Sequence, residues 1–391
     1  MKLASPPPSG LPAISPSRGE ISSCMLVTHS ATCVIGEGGS DIQSPPLRGR
    51  WPACQRGVLV ATFSLLLGLF FAIIAPAFAI PNAVERLEIS ARPIRYFQIG
   101  STGTRFGPLE FVGGLELTST SSDLGALSSF RFLTPGKDFI GVADTGFWVF
   151  GAIARDADGK PSGVADFRMQ QMFDRAGKIS NRKWEVDAEG LAVKDGIAAV
   201  GFERDHRIAR FRIEPDDMKA ATGDLDFLIP QSELRQNRGF ETVAHAHPNG
   251  QHEGGLVIVS EKSLDKAGNI FAAIVEGPNK GIFTVKRNGD FDITDGAFLP
   301  NGDLLLLERS FSMASGVKMR LRRIYGENIA KGAVADGPVL FEADMGYQID
   351  NMEGLDVWTR ADGAQMVSLV SDDNHSILQR NLYLEFVLHQ D

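Results

Sequence analysis

One unit recurs along most of this chain and constrains the fold more than any other feature. It opens on a glycine-containing start, passes through an apolar strand, a turn and a second apolar strand, and ends on acidic residues. Glu189-Gly190-Leu191 leads through Asp195-Gly196 to Val200-Gly201-Phe202-Glu203-Arg204-Asp205. Asp295-Gly296-Ala297 leads through Asn301-Gly302 to Leu305-Leu306-Leu307-Glu308-Arg309, and Asn351-Met352-Glu353-Gly354-Leu355 leads to Leu369-Val370-Ser371-Asp372-Asp373-Asn374. Looser copies run from Gly113-Gly114-Leu115 to Val142-Ala143-Asp144, and from Gly239-Phe240-Glu241-Thr242 to Val257-Ile258-Val259-Ser260-Glu261. Asp-Gly and Asn-Gly pairs accept positive φ and close tight hairpins. No segment holds a helical period for long, so the fold class is all-β.

The starts at Gly114, Gly190, Gly239, Gly296 and Gly354 lie 76, 49, 57 and 58 residues apart. Blades of a β-propeller repeat every ~40–50 residues as four-stranded units. The spacing predicts a propeller of five to six blades, with an insertion or an extra blade in the wide first gap. Ile94-Arg95-Tyr96-Phe97 and the last strand, Leu382-Tyr383-Leu384-Glu385-Phe386, are expected to pair and close the ring. A β-sandwich or two stacked β domains would not require one unit to recur along the whole chain.

The first 79 residues stand apart from this pattern. Residues 1–57 are rich in Pro, Ser and Gly without a sustained period, which reads as disorder or an over-extended start, and they end in a basic flank of Arg48, Arg50 and Arg56. An apolar run from Val58 to Ala75 follows and ends in Pro76-Ala77-Phe78-Ala79. A basic flank, an apolar run and small residues before a cleavage point mark a secretory signal over 58–79, with the mature chain starting near Ile80. The expected location is the periplasm or the cell exterior. The alternative is a retained membrane anchor through the same residues, since the run approaches the ~20 residues that span a bilayer. The propeller domain then occupies 86–391.

The full chain carries a formal charge of −9; residues 1–79 hold five basic and three acidic side chains, so the other 312 carry −11. That balance argues against nucleic acid as a partner, because binding phosphates requires a basic footprint. All three cysteines, Cys24, Cys33 and Cys54, precede the repeats. Thiol catalysis and zinc–thiolate sites are therefore excluded from the propeller.

The acidic strand ends gain meaning from hairpin geometry. In an antiparallel pair, the start of one strand and the end of its partner share an edge. Glu189 with Glu203, Asp295 with Glu308 and Glu353 with Asp372 are thus expected side by side on one rim. Carboxylates gathered there repel unless a cation intervenes, and oxygen-rich clusters suit Ca²⁺. The metal-ligand candidates are Glu189, Glu203, Glu308, Glu353 and Asp372. Arg204 and Arg309 follow two of them and are candidates to grip an anionic substrate. The bland alternative is that these are solvated strand ends and surface ion pairs of little energy.

Several of these segments resemble the family described as "esterase-like activity of phytase". The segments are Ala188-Glu189-Gly190-Leu191 with Phe202-Glu203-Arg204-Asp205-His206, Pro300-Asn301-Gly302-Asp303-Leu304-Leu305 with Leu307-Glu308-Arg309, and Asp350-Asn351-Met352-Glu353-Gly354-Leu355 with Leu369-Val370-Ser371-Asp372-Asp373-Asn374. Leu378-Gln379-Arg380-Asn381-Leu382 extends the last of them. The resemblance covers roughly residues 92–391. It implies an exported phytase-like propeller with phosphoesterase activity on a small anionic ester.

Other chemistry is weaker. His245-Ala246-His247 with His252 reads as a solvated loop, and Asp156-Ala157-Asp158-Gly159 as a turn lacking the later ligands of a calcium loop. Neither a Gly-x-Ser-x-Gly elbow nor a phosphate-cradling Gly-Lys-Ser/Thr loop occurs in the sequence. Trp148, Trp184 and Trp358 are expected to pack blades. The expected function is calcium-assisted hydrolysis of phosphoric esters, with Asp205, Asp373 or His206 orienting water or protonating the leaving group. A calcium-dependent lactonase or carboxylic-ester hydrolase, and a non-catalytic calcium-stabilised binding propeller, are the alternatives.

Overall fold

The computed structural model describes residues 83–180, 182–235 and 239–389. Residues 58–79, expected to form a signal or an anchor, and the three cysteines lie outside the described residues. Among the described residues, no helix is long and apolar enough to cross a membrane.

Four strands precede the first complete blade: β1 (Val84–Arg86), β2 (Ser90–Ile94), β3 (Arg105–Phe106) and β4 (Leu109–Thr118). Blade one comprises β5 (Leu127–Phe132), β6 (Asp138–Ala143), β7 (Phe147–Arg155) and β8 (Pro161–Gln171), with β1 on its outer edge. Blade two is β9 (Ala188–Lys194), β10 (Ile197–Phe202), β11 (Arg207–Arg212) and β12 (Gly223–Leu225). Blade three is β13 (Phe240–His245), β14 (Leu256–Leu264), β15 (Ile270–Ile274) and β16 (Gly281–Val285). Blade four is β17 (Asp292–Phe298), β18 (Leu304–Ser312), β19 (Gly316–Ile324) and, after β20 (Val334–Ala335) pairs back onto β16, β21 (Val339–Ala343). Blade five holds β22 (Asn351–Thr359), β23 (Gln365–Asp372) and β24 (Asn381–Leu388), completed by β4 and then β2.

The propeller therefore has five blades, and the ring closes differently from the expectation. β24 pairs with β4 from Asn381↔Leu117 to Leu388↔Leu109. Ile94 ends the next strand outward, opposite Gly114. That order suits Pro93, which cannot donate a ladder hydrogen bond and belongs on an edge strand. Phe97 leaves the sheet to fill an aromatic cluster with Phe106, Phe111 and Phe386. Gly114 consequently starts no blade. The wide first gap holds the closing strand β4, and the true first inner strand begins at Leu127.

Five separate apolar cores fill the five junctions between neighbouring blades. Trp148 joins blades one and two edge-on to Phe211, and Trp358 joins blades five and one against Phe132. Trp184 departs from the expectation: it is 50% exposed on the one-turn helix Lys183–Val186. The recurring glycines mark where inner strands crowd their neighbours, in the next blade or in their own. A Cβ on Gly190 would sit 2.6 Å from the carbonyl oxygens of Phe240 and Glu241, and one on Gly354 would sit 2.6 Å from Val370.

Candidate functional site: an acidic cup at the blade axis

Each inner strand carries a β-bulge at the same place. The register against its partner slips between Leu127 and Ser129, Gly201 and Phe202, Phe240 and Thr242, Ile293 and Asp295, and Met352 and Gly354. The residues left opposite no single partner are Ser128, Glu189, Glu241, Thr294 and Glu353. A bulge re-aims one side chain and is common beside functional sites. Three of the five carry carboxylates.

A second tier comes from the ends of the second strands. Asp144, Glu203 and Glu261 donate backbone hydrogen bonds to Ala126, Asp187 and Gly239, while Arg309 pairs with Asp292 and Asp372 with Asn351. These five positions are equivalent, so blade four presents an arginine where the others present acids.

The carboxylates converge across blades. One oxygen each from Glu189, Glu203 and Glu241 lies within 4.8 Å of the others, and the same holds for Asp144, Asp187 and Glu189. Burial, joined by repulsion from Asp187, Glu203, Asp144 and Glu353, holds the Glu189 carboxyl well above its usual range. Burial and the charges of Glu189, Glu261, Glu203 and Glu353 do the same to Glu241. Asp187, only 1% exposed, is pushed up to about 6, chiefly by burial. Two cations offset part of that charge: Arg204 Nε lies 2.9 Å from Asp187 Oδ2 and Lys183 Nζ 3.7 Å from Oδ1. Buried carboxylates gathered from neighbouring blades form an all-oxygen set of the kind that suits a calcium ion.

Arg309 enters the same cup. It pairs with Glu353 at 3.3 Å and donates to Asn351 Oδ1, and Glu353 also accepts from Asn351 Nδ2 at 2.8 Å. Below the bulges, three residues beyond Ser128 on β5, Arg131 reaches across the axis. Its guanidinium holds both oxygens of Asp295 at 2.8 Å and reaches the carbonyls of Val243, Gly296 and Leu355.

Glu189 and Glu353 thus lie in the bulge tier of the cup and Glu203 and Asp372 in the second tier, with Asp372 Oδ1 accepting the backbone N–H groups of Ala126 and Asn374. Glu308 belongs to neither. It lies on the opposite face of β18 from Arg309, where the buried Arg320 and Arg322 neutralise it. The expected rim pair of Asp295 with Glu308 is likewise corrected, since Asp295 bonds Arg131 below the cup. Asp205 turns outward to Arg207 at 3.1 Å and Arg175 at 3.8 Å. Asp373 accepts from Asn381 Nδ2 at 2.7 Å. His206 packs edge-on against Phe240 with Nε2 buried, and burial lowers its pKa. His245 lies at the far end of β13, and His252 is buried rather than solvated. Asp144, Asp187, Glu241 and Glu261 went unassigned as ligands; aligning the five copies on the bulge is the signal that would have found them.

A five-bladed ring with an oxygen-rich cup at one end of its axis defines a β-propeller with a candidate cation site. The chain belongs to the Phytase-like family: the family model described as "esterase-like activity of phytase" matches residues 122–375, which span every cup residue named above. No curated protein matches the chain. Among solved structures it is similar to an endo-arabinase from Bacteroides thetaiotaomicron, with a TM-score of 0.43, 12% identity, and coverage of 69% of this chain and 96% of that one. It is also similar to a PQQ-bound aldose sugar dehydrogenase from Streptomyces coelicolor, with a TM-score of 0.37, 13% identity, and coverage of 78% and 99%. A putative oxidoreductase (glucose dehydrogenase) from Thermus thermophilus gives a TM-score of 0.34 at 12% identity over 71% and 99%. At these scores none of the three carries a substrate or cofactor over to this chain.

Proposed function

We propose that this protein is a calcium-assisted hydrolase of phosphoric esters acting in the acidic cup. The observation that carries the reading is the meeting of Glu189, Glu203 and Glu241 within 4.8 Å, beside the buried carboxylate of Asp187. Such a set is stable at neutral pH when a cation sits among it. Bound there, calcium would offset the charge of a phosphoryl group and favour attack on phosphorus. Arg309, across the cup, holds the anionic end of the substrate, and Arg204 stands at the exposed lip. Glu353, held by Asn351 and Arg309, would take a proton from the attacking water as the P–O bond to the alcohol breaks, and the departing alkoxide would take a proton from solvent.

The test is phosphate release from a generic aryl phosphate, with calcium and with chelator. Activity should require calcium and fall at least tenfold in Glu241→Gln and Arg309→Met. Cleavage of aryl acetates or lactones instead would make this a carboxylic-ester hydrolase. A calcium-raised melting temperature without either activity would make it a binding propeller. Export belongs to the same reading and rests on the Val58–Ala75 run with its Ala77-Phe78-Ala79 ending. N-terminal sequencing should find a start near Ile80, whereas a membrane-bound product retaining the run would show an anchor.

A further inference from the structure

The two carboxylate clusters share Glu189 and are not equivalent. The inner cluster adds Glu203 and Glu241; the outer one adds Asp144 and Asp187. Among the described residues, a lysine reaches into the outer cluster alone, where Arg204 also pairs with Asp187. Lys183 Nζ donates to Asp144 Oδ2 at 2.5 Å and lies 3.7 Å from Asp187 Oδ1.

The segment that carries Lys183 is fastened in place. Val186, at the end of the one-turn helix, is buried where a Cβ on Gly146 would strike it. Arg207 donates to the Glu185 carbonyl at 2.7 Å, and Ser180 Oγ donates to the Glu185 carboxylate. The lysine side chain itself remains 46% exposed. The backbone is therefore anchored while the ammonium can enter or leave the cluster. An ammonium has three donors and no acceptor, so carboxylate oxygens alone satisfy it.

We propose that Lys183 is a tethered cation: its ammonium fills the outer carboxylate cluster in place of a second metal ion. The inference rests on the calcium reading of the inner cluster. The physical reason is charge. Arg204 already pairs with Asp187, so the one charge of the ammonium completes the neutralisation of Asp144 and Asp187 and leaves no need for a divalent ion; without it, that deficit returns. Because the cation is covalently attached, its local concentration is high and chelators cannot remove it.

Native mass spectrometry and calorimetric titration with calcium alone, on the whole chain, test this. Wild type should take one ion, Lys183→Met and Lys183→Gln two, and Lys183→Arg one. In chelator the two uncharged variants should melt below wild type, and calcium should raise them by more than it raises wild type. A wild type that binds two ions, or uncharged variants whose stoichiometry equals wild type at one or at none, would overturn the proposal. If wild type binds none while Lys183→Met gains one, Lys183 keeps its role and the inner calcium site falls instead.

Discussion

The buried acids of the cup set how stability varies with pH. Asp187 and Asp372 normally titrate near 3.8, and each is held at about 6 in the folded protein, with burial as the largest cause. Below 3.8 both are protonated whether the chain is folded or not, so they cost nothing. As pH rises from 3.8 towards 6, the unfolded chain ionises while the folded one retains the protons, and stability falls. Glu189 and Glu241, raised well above their usual value, extend the fall to higher pH. In chelator, the denaturation midpoint should therefore drop between pH 4 and 8. Calcium should remove most of that slope but not all, because Asp356, also held at about 6, lies away from the cup beside Arg131. A slope unaffected by calcium would mean that the carboxylates share no ion. Glu308 gives the converse test. Glu308→Leu strands two buried guanidiniums and should cost roughly 3–5 kcal/mol, while the calcium-induced rise in melting temperature stays as in wild type.

At the scale of the strand, one offset separates what the sequence revealed from what it concealed. The glycine starts are visible because neighbouring strands leave no room for a Cβ at Gly190, Gly296 and Gly354. Gly190→Ala or Gly354→Ala should accordingly destabilise by roughly 1–3 kcal/mol through overpacking. Gly163→Ala, whose Cβ would meet only Ala154 at 3.8 Å, should change the denaturation midpoint little. The bulge is harder to read. It inserts one residue opposite no partner, and a one-residue slip in register moves a side chain to the other face. The acidic end of β18 therefore looked like a match at Glu308 when the equivalent position is Arg309. The sheet that closes the ring was hidden for another reason: β4 and β24 are distant in sequence, and no local turn signals their pairing. Glu241 and Glu261 stand in a copy of the repeat whose start, Gly239-Phe240, carries its glycine two residues before the bulge, whereas Gly190, Gly296 and Gly354 follow theirs.

Across the whole molecule, the ring is held together at its axis as well as at its five apolar junctions. Arg131 starts on β5 and bonds β13 through the Val243 carbonyl, β17 through Asp295 and the Gly296 carbonyl, and β22 through the Leu355 carbonyl. Four of the five inner strands thus meet on one guanidinium. Asp295 answers with bonds from Ser129 Oγ at 2.9 Å, the Leu355 N–H at 2.9 Å and the Gly296 N–H at 2.7 Å. A pair desolvated this completely contributes little beyond an apolar substitute, yet removing one partner leaves a buried charge unopposed. Arg131→Met should thus cost roughly 3–5 kcal/mol, and Asp295→Asn a similar amount. The double variant should lose less than the sum of the two, with a coupling of roughly 0.5–3 kcal/mol. Denaturant titration of the four proteins measures that coupling. If the two losses simply add, the axis is held by the inner-strand backbones alone, and the Arg131–Asp295 bridge only fills the space between them.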